Sequence, residues 1–236
     1  MSLTRNKQID IFHADWVDGT TFCGDDEIPQ VQHQVTETPE KMIPFSEAVK
    51  KKIAIDDASK TYVHFFEHDF KFWRFIRNPR KYFKRLRKFA GLISPDISLY
   101  LDMPLALQCY HVYLSRAITF FLQKNGFKVI PLIRWSDKRS YRFAFQGIHQ
   151  QSTVCVSIYG GQKDEEVRKI FYDGFIKMIE IVKPSRILFY GSIAPNIKSY
   201  CEEKNIQITE YKPKQRNDKI SVRKIFNNFF DLPLFK

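Results

Sequence analysis

No apolar run in this chain approaches the ~20 residues needed to cross a bilayer, and its first residues carry no apolar signal-peptide core. Membrane-spanning and secreted classes are therefore not expected. Four cysteines, Cys23, Cys109, Cys155 and Cys201, lie far apart, with no CxxC pair and no zinc-ligand spacing. Free thiols of a protein in a reducing cytoplasm are the simplest expectation. The chain also lacks a GxxxxGK(S/T) or GxGxxG loop, a nucleophile elbow and a Cys–His signature. No nucleotide fold or nucleophilic hydrolase follows from motif alone. There is no internal repeat and no low-complexity segment.

Acidic residues are missing where they would matter most. Between Lys71 and Ala90 stand nine Lys or Arg and not one Asp or Glu: Lys71, Arg74, Arg77, Arg80, Lys81, Lys84, Arg85, Arg87 and Lys88. Phe72, Phe75, Ile76, Pro79, Tyr82, Phe83, Leu86, Phe89 and Ala90 fill the other side at helical spacing. One face can bury itself while the other presents positive charge to a polyanion. The net charge is +12, unevenly placed. Residues 1–50 hold four basic and nine acidic residues, so the remaining 186 carry 34 − 17 = +17. Lys212, Lys214 and Arg216 in the tail extend the basic character. DNA or RNA is the natural partner, reached through phosphates, and an acidic protein is the alternative. A membrane surface is not expected, because the apolar arc is consumed by packing.

Composition is 44% hydrophobic and 15% aromatic, with 22 Phe, which reads as core rather than as stacking platforms. Residues 1–45 are polar and lack a sustained period, an acidic irregular arm punctuated by Pro29, Pro39 and Pro44. From 46 to 210 strands alternate with helices, and 211–236 forms a basic tail. The expected strands are Tyr62–Phe66, Gly91–Ser94, Phe127–Ile133, Thr153–Ile158, Arg186–Tyr190 and Ile206–Glu210. Helices are expected at Ser46–Lys52, through the basic segment with a break at Asn78-Pro79, and at Pro104–Lys124, Lys138–Phe145, Asp164–Val182 and Asn196–Lys204. The pattern is an α/β fold with a mostly parallel sheet of about six βα units, barrel-like or doubly wound, and the barrel-like form is preferred.

In such sheets ligands bind at the carboxyl ends of the strands. The residues there are Glu67, His68 and Asp69, then Asp96, Ser98, Tyr100 and Asp102, then Arg134, Trp135, Ser136 and Asp137, and finally Gly160-Gly161 and Gly191-Ser192. Asp96, Asp102, Asp137, Tyr100 and Trp135 are the catalytic candidates for a phosphodiesterase or nuclease. Glu67, Asp69 and Asp96 are the candidates to hold Mg²⁺, since hard cations prefer oxygen. Helix N-capping explains Asp96, Asp102, Asp137 and Asp164 equally well. His64 and His111 have no partner at metal spacing and read as structural residues.

Val63–Phe72, Asn78-Pro79, the Ser94-Pro-Asp-Ile-Ser-Leu-Tyr-Leu-Asp-Met-Pro104 run, Gln123–Gly126, Val129–Pro131 and Trp135-Ser-Asp137 together resemble an uncharacterised domain-of-unknown-function family. That family occurs in bacteria, phages and integrative mobile elements. The resemblance covers about Tyr62 to Ser192. It implies a mobile-element setting and a family site at Glu67, Asp69, Asp96, Ser98, Tyr100, Asp102, Trp135 and Asp137, but no activity.

Overall fold

A computed structural model describes residues 13–34, 37–50, 58–157 and 165–213. In chain order the elements are β1 (Phe22–Cys23), β2 (Ile28–Pro29), β3 (Lys41–Pro44), α1 (Phe45–Ala48), β4 (Thr61–His64), α2 (Asp69–Arg77) and α3 (Phe83–Leu86). There follow β5 (Gly91–Ile93), α4 (Leu105–Lys124), β6 (Val129–Ile130), α5 (Tyr141–Ala144), β7 (Thr153–Ser157), α6 (Glu165–Val182), β8 (Arg186–Tyr190), α7 (Pro195–Glu203) and β9 (Gln207–Tyr211). Strands β3-β4-β5-β6 form one parallel sheet and β7-β8-β9 another, while β1 and β2 make a small antiparallel pair.

Pro131 separates the two parallel sheets in name only. Proline has no N–H to donate, so the β6 ladder stops at Ile130 and the expected strand to Ile133 is cut short. Beyond it Leu132 bridges Cys155, with Cys155 N–H donating to Pro131 O at 2.9 Å and Ile133 N–H to Cys155 O at 2.9 Å. The fold is α/β with a mostly parallel sheet. Against the six strands expected, the two parallel sheets hold seven among the described residues. Lys41–Pro44, which the sequence leaves in the irregular arm, runs parallel to β4 with Ile43 opposite Val63.

Side chains alternate between the sheet faces with period two, and the apolar clusters divide accordingly. Val63, Leu92 and Val129 point outward into a layer built with α1, α2, α3 and α4. Val154, Val156, Ile187 and Phe189 point outward against α5, α6 and α7. Their neighbours Tyr62, Ile93, Ile130, Cys155, Leu188 and Tyr190 turn inward and pack on one another with Leu132, Phe66, Met42, Ala90 and Tyr211. No helical residue belongs to that inner cluster among the described residues. Tyr211 Oη at the end of β9 donates to Pro39 O, two residues before β3, at 2.6 Å. Gly91 makes room for Tyr62, since a Cβ there would lie 2.5 Å from the Tyr62 ring and 2.8 Å from Lys128 O.

α4 is the structural spine. Its buried Arg116 donates to three main-chain carbonyls, Gln146 O (3.1 Å), Leu132 O (3.0 Å) and Ala144 O (2.9 Å). Burial pulls its pKa down to about 10. Gln123, near the other end of α4, holds the arm by accepting from Gln32 N–H (2.7 Å) and donating to Gln32 O (3.3 Å). Trp16, Ile28 and Val31 of the arm are buried, and Trp16 stacks on Phe121. Each such apolar side chain contributes ~1.5–3 kcal/mol when fully removed from water. The expected 1–45 arm contains β1, β2 and β3 among its described residues, and Trp16, Ile28 and Val31 pack it onto the body.

Candidate functional site

The basic segment folds as α2, a 3-10 turn Pro79–Tyr82 and α3. Its break falls at Asn78-Pro79, with Asn78 extended (φ −153°) and Pro79 at the first position of the new turn. Asn78 gives no side-chain cap. Phe72, Phe75, Ile76, Pro79, Leu86 and Phe89 are buried against the sheet, leaving the cations outside. Some of those cations are engaged. Arg80 pairs with Asp15 of the arm at 3.0 Å, Arg85 donates to Ala48 O, and Arg87 donates to Asn125 O. Arg74 lies over the Phe45 ring and Arg87 over Phe127. Arg77, Lys81, Lys84 and Lys88 are exposed and have no partner among the described residues. The arm's other ion pairs among the described residues, Asp18–Lys124, Asp26–Arg142 and Glu40–Lys60, use cations outside the 71–88 segment. Lys212 is exposed, while Lys214 and Arg216 lie outside the described residues.

The strand ends form a second locality. The register places Ile93 opposite Ile130; three or four residues further along each chain, Asp96 and Arg134 come side by side. Arg134 donates from Nε to Asp96 Oδ1 (2.5 Å) and from Nη2 to Asp96 Oδ2 (2.7 Å), a bidentate fork. Burial opposes the Arg134 charge, but the Asp96 carboxylate outweighs it and raises the pKa further. Asp69, in the first turn of α2, accepts from Ser98 Oγ (2.8 Å) and Ser98 N–H (3.2 Å). Desolvation nevertheless pushes Asp69 up to about 6. His111 Nδ1 sits 2.8 Å from Ser98 O, and burial lowers its pKa. Gln108 fixes the following loop, donating to Tyr100 O and Met103 O and accepting from Ser136 Oγ. Tyr100 remains partly exposed, with its phenol pKa raised by burial of its inner part.

The other candidate carboxylates are committed elsewhere. Glu67 accepts from the N–H (2.9 Å) and hydroxyl of Ser46. Asp137 caps the 3-10 turn Lys138–Ser140 by accepting from Arg139 N–H (3.0 Å), and the Arg139 side chain holds its pKa down. For Asp137 the capping explanation is the right one. Asp102 is exposed in the turn before α4, whose N-cap position is Pro104. Glu67, Asp69 and Asp96 do not assemble as the expected cation cage. No group of three or more His, Cys, Asp or Glu stands at metal-holding spacing among the described residues. Asp96 is 6% exposed and both its oxygens face Arg134, which leaves little for an ion.

Beside Arg134 opens a cavity of about 790 Å³ at the ends of β6, β7 and β8, walled by α6 and the start of α7. Trp135 forms part of its wall, packed on Phe145 and Phe171. A Cβ on Gly174 would lie 2.1 Å from Trp135 Nε1, so α6 approaches this ring only because residue 174 has no side chain. Arg168, Lys169 and Asn196 also line the cavity. Sequence reasoning missed them; the available signal was their position in the helices that follow two strand ends, Arg168 and Lys169 after 153–157 and Asn196 after 186–190. Gly160, Gly161 and Asp164 lie outside the described residues. All four cysteines are free, and no described helix is long and apolar enough to cross a membrane.

Two curated relatives are the Gene 1 proteins of Mycobacterium phages L5 and D29, each 29% identical over 150 residues and 63% of this chain. The aligned part spans 63% of the L5 protein and 54% of the D29 protein, so the chain covers under two thirds of either. No solved structure matches the chain. Residues 21–212, which include the basic face, the Asp96–Arg134 pair and the cavity, match the domain of unknown function DUF4417, and the chain belongs to that family.

Proposed function

We propose that this is a protein of a phage or mobile element that grips the phosphate backbone of nucleic acid through the 71–88 face. One observation carries the reading: Arg77, Lys81, Lys84 and Lys88 stand exposed and unpaired among the described residues, on a segment without a single acid. Of the nine cations, only Arg80 has an acidic partner from the arm in a described ion pair. Unpaired cations spaced along one rigid face release counterions when they meet phosphates, and this drives binding with little regard to base sequence. Both phage relatives fit a mobile-element setting.

The architecture that positions this face is read here as a closed barrel. Support comes from the inner cluster, which draws on β3 through β9, and from the Tyr211–Pro39 bond, which links β9 to the residue two before β3. A doubly wound sheet would put helices on that inner face.

Fluorescence anisotropy with labelled duplex and single-stranded DNA and RNA tests the proposal. Arg77→Glu, Lys81→Glu, Lys84→Glu and Lys88→Glu combined should abolish binding without lowering the melting temperature. Undiminished binding by that variant refutes it. Loss of an acidic protein's binding, with nucleic acid never bound, would give the face to a protein partner instead.

A second reading, phosphodiester cleavage at the strand ends, is favoured by Asp69. A carboxyl with its pKa near 6, in the electrostatic reach of Arg134, can carry a proton close to neutral pH. Asp69→Asn should then abolish turnover while leaving nucleic-acid binding intact; a variant that still cleaves refutes it.

A further inference from the structure

The cavity beside Arg134 plays no part in the basic face, and its walls join two chemistries. Arg134, Arg168 and Lys169 line it with one acid, Glu165, and Asp96 pairs with Arg134, so three cations stand against two carboxylates. Asp96 occupies the Nε and Nη2 edge of Arg134, which leaves Nη1 for an acceptor on a guanidinium already held in place. The Arg134 side chain is 30% exposed, so the fork is reachable from the cavity. Ser157, Ser192 and Asn196 add short polar groups. Aromatic side chains make another part of the wall: the Trp135 and Phe171 rings pack on each other, 5.1 Å apart and tilted by 30°, with Trp135 itself 8% exposed. Leu99 and Ile197 border them. A volume of 790 Å³ falls within the roughly 300–1,000 Å³ usual for small-ligand sites.

We propose that this cavity binds a nucleoside phosphate, its phosphate received by Arg134, Arg168 and Lys169 and its base laid against the Trp135–Phe171 wall. Arg134 keeps Nη1 for a phosphate oxygen, Arg168 offers a planar guanidinium that suits phosphate oxygens two at a time, and Lys169 adds a third charge. Aromatic walls add affinity for any ligand with a flat π-face. The site lies at the carboxyl ends of parallel strands, where α/β sheets place their ligands.

Isothermal titration calorimetry on the full chain tests this with AMP, UMP, adenosine and inorganic phosphate. AMP and UMP should bind, with adenosine and phosphate each weaker by about tenfold or more. Arg168→Glu with Lys169→Glu, both at exposed positions, should weaken AMP by about tenfold or more. The variant reversed at 77, 81, 84 and 88 should bind AMP normally, which separates this site from the basic face. The inference fails if no nucleotide binds at millimolar concentration. It also fails if phosphate alone binds as tightly as AMP, or if the Arg168/Lys169 variant is unaffected.

Discussion

Salt titration gives the sharpest measure of the basic face. Four cations, Arg77, Lys81, Lys84 and Lys88, are exposed with no described partner. If each neutralises one phosphate, the slope of log K against log salt on duplex DNA is about −0.9 × 4, or roughly −3.6. Raising salt from about 50 to 200 mM then weakens binding by about 2.2 logarithmic units, on the order of 150-fold. On a single strand the slope relaxes to about −2.8. Recruitment of all nine cations would steepen the duplex slope to about −8. That requires Arg80, Arg85 and Arg87 to leave Asp15, Ala48 O and Asn125 O. Anisotropy at four salt concentrations distinguishes these cases. Reversal of the four free cations should flatten whatever binding remains, while unfolding free energy stays within about 0.5 kcal/mol. A wild-type duplex slope shallower than about −2 refutes phosphate binding by this face.

The remaining predictions concern the interior. Asp69 has its folded pKa raised to about 6, above its unfolded value near 3.8, so the native state holds the proton longer. Stability should therefore fall as pH rises from about 4 through 6 and level off above, by at most ~3 kcal/mol before allowance for solvent. Asp69→Asn should remove that slope in urea melts taken at several pH values; a slope that survives disproves the assignment. Gly174→Ala should cost about 1–3 kcal/mol in thermal unfolding, because the new methyl meets Trp135 Nε1 at 2.1 Å. The Tyr62 hydroxyl is buried with no hydrogen-bond partner among the described residues, and desolvation pushes its pKa up to about 12. Tyr62→Phe should accordingly leave stability unchanged or raise it by up to about 1 kcal/mol, and a clear loss would reveal a partner for that oxygen.

Local chemistry made most elements legible. Asn78-Pro79 broke the basic helix where expected, and Asn125-Gly126 ended α4, with Gly126 at φ +81°. The short apolar runs at Arg186–Tyr190 and Thr153–Ile158 matched the observed strands, Arg186–Tyr190 and Thr153–Ser157, because both faces of those strands pack on apolar neighbours. β3 escaped notice for the opposite reason. Lys41-Met-Ile-Pro44 is short, half exposed and ends in proline, so only its pairing with β4 makes it a strand. The site was legible in part. That Asp96 and Asp69 lay at strand ends could be read directly, but which cation met which carboxylate depended on register between strands 38 residues apart. Asp137 shows the limit from the other side. A residue two positions along the chain, Arg139, pairs with it, and its carboxylate caps the turn Lys138–Ser140, as N-capping had equally explained.

Arg116 has a consequence for the cavity described above. Its single planar group ties the backbone at Leu132 to that at Ala144 and Gln146, immediately behind Arg134 and Trp135. A ligand entering from the front meets a wall braced from the rear, with little rearrangement to make and so little ordering entropy to surrender. Lysine at 116 would keep the charge but could not reach three divergent oxygens from one flat fork. The brace, more than any contact with the ligand itself, is what would let a shallow wall of rings act as a preset mould.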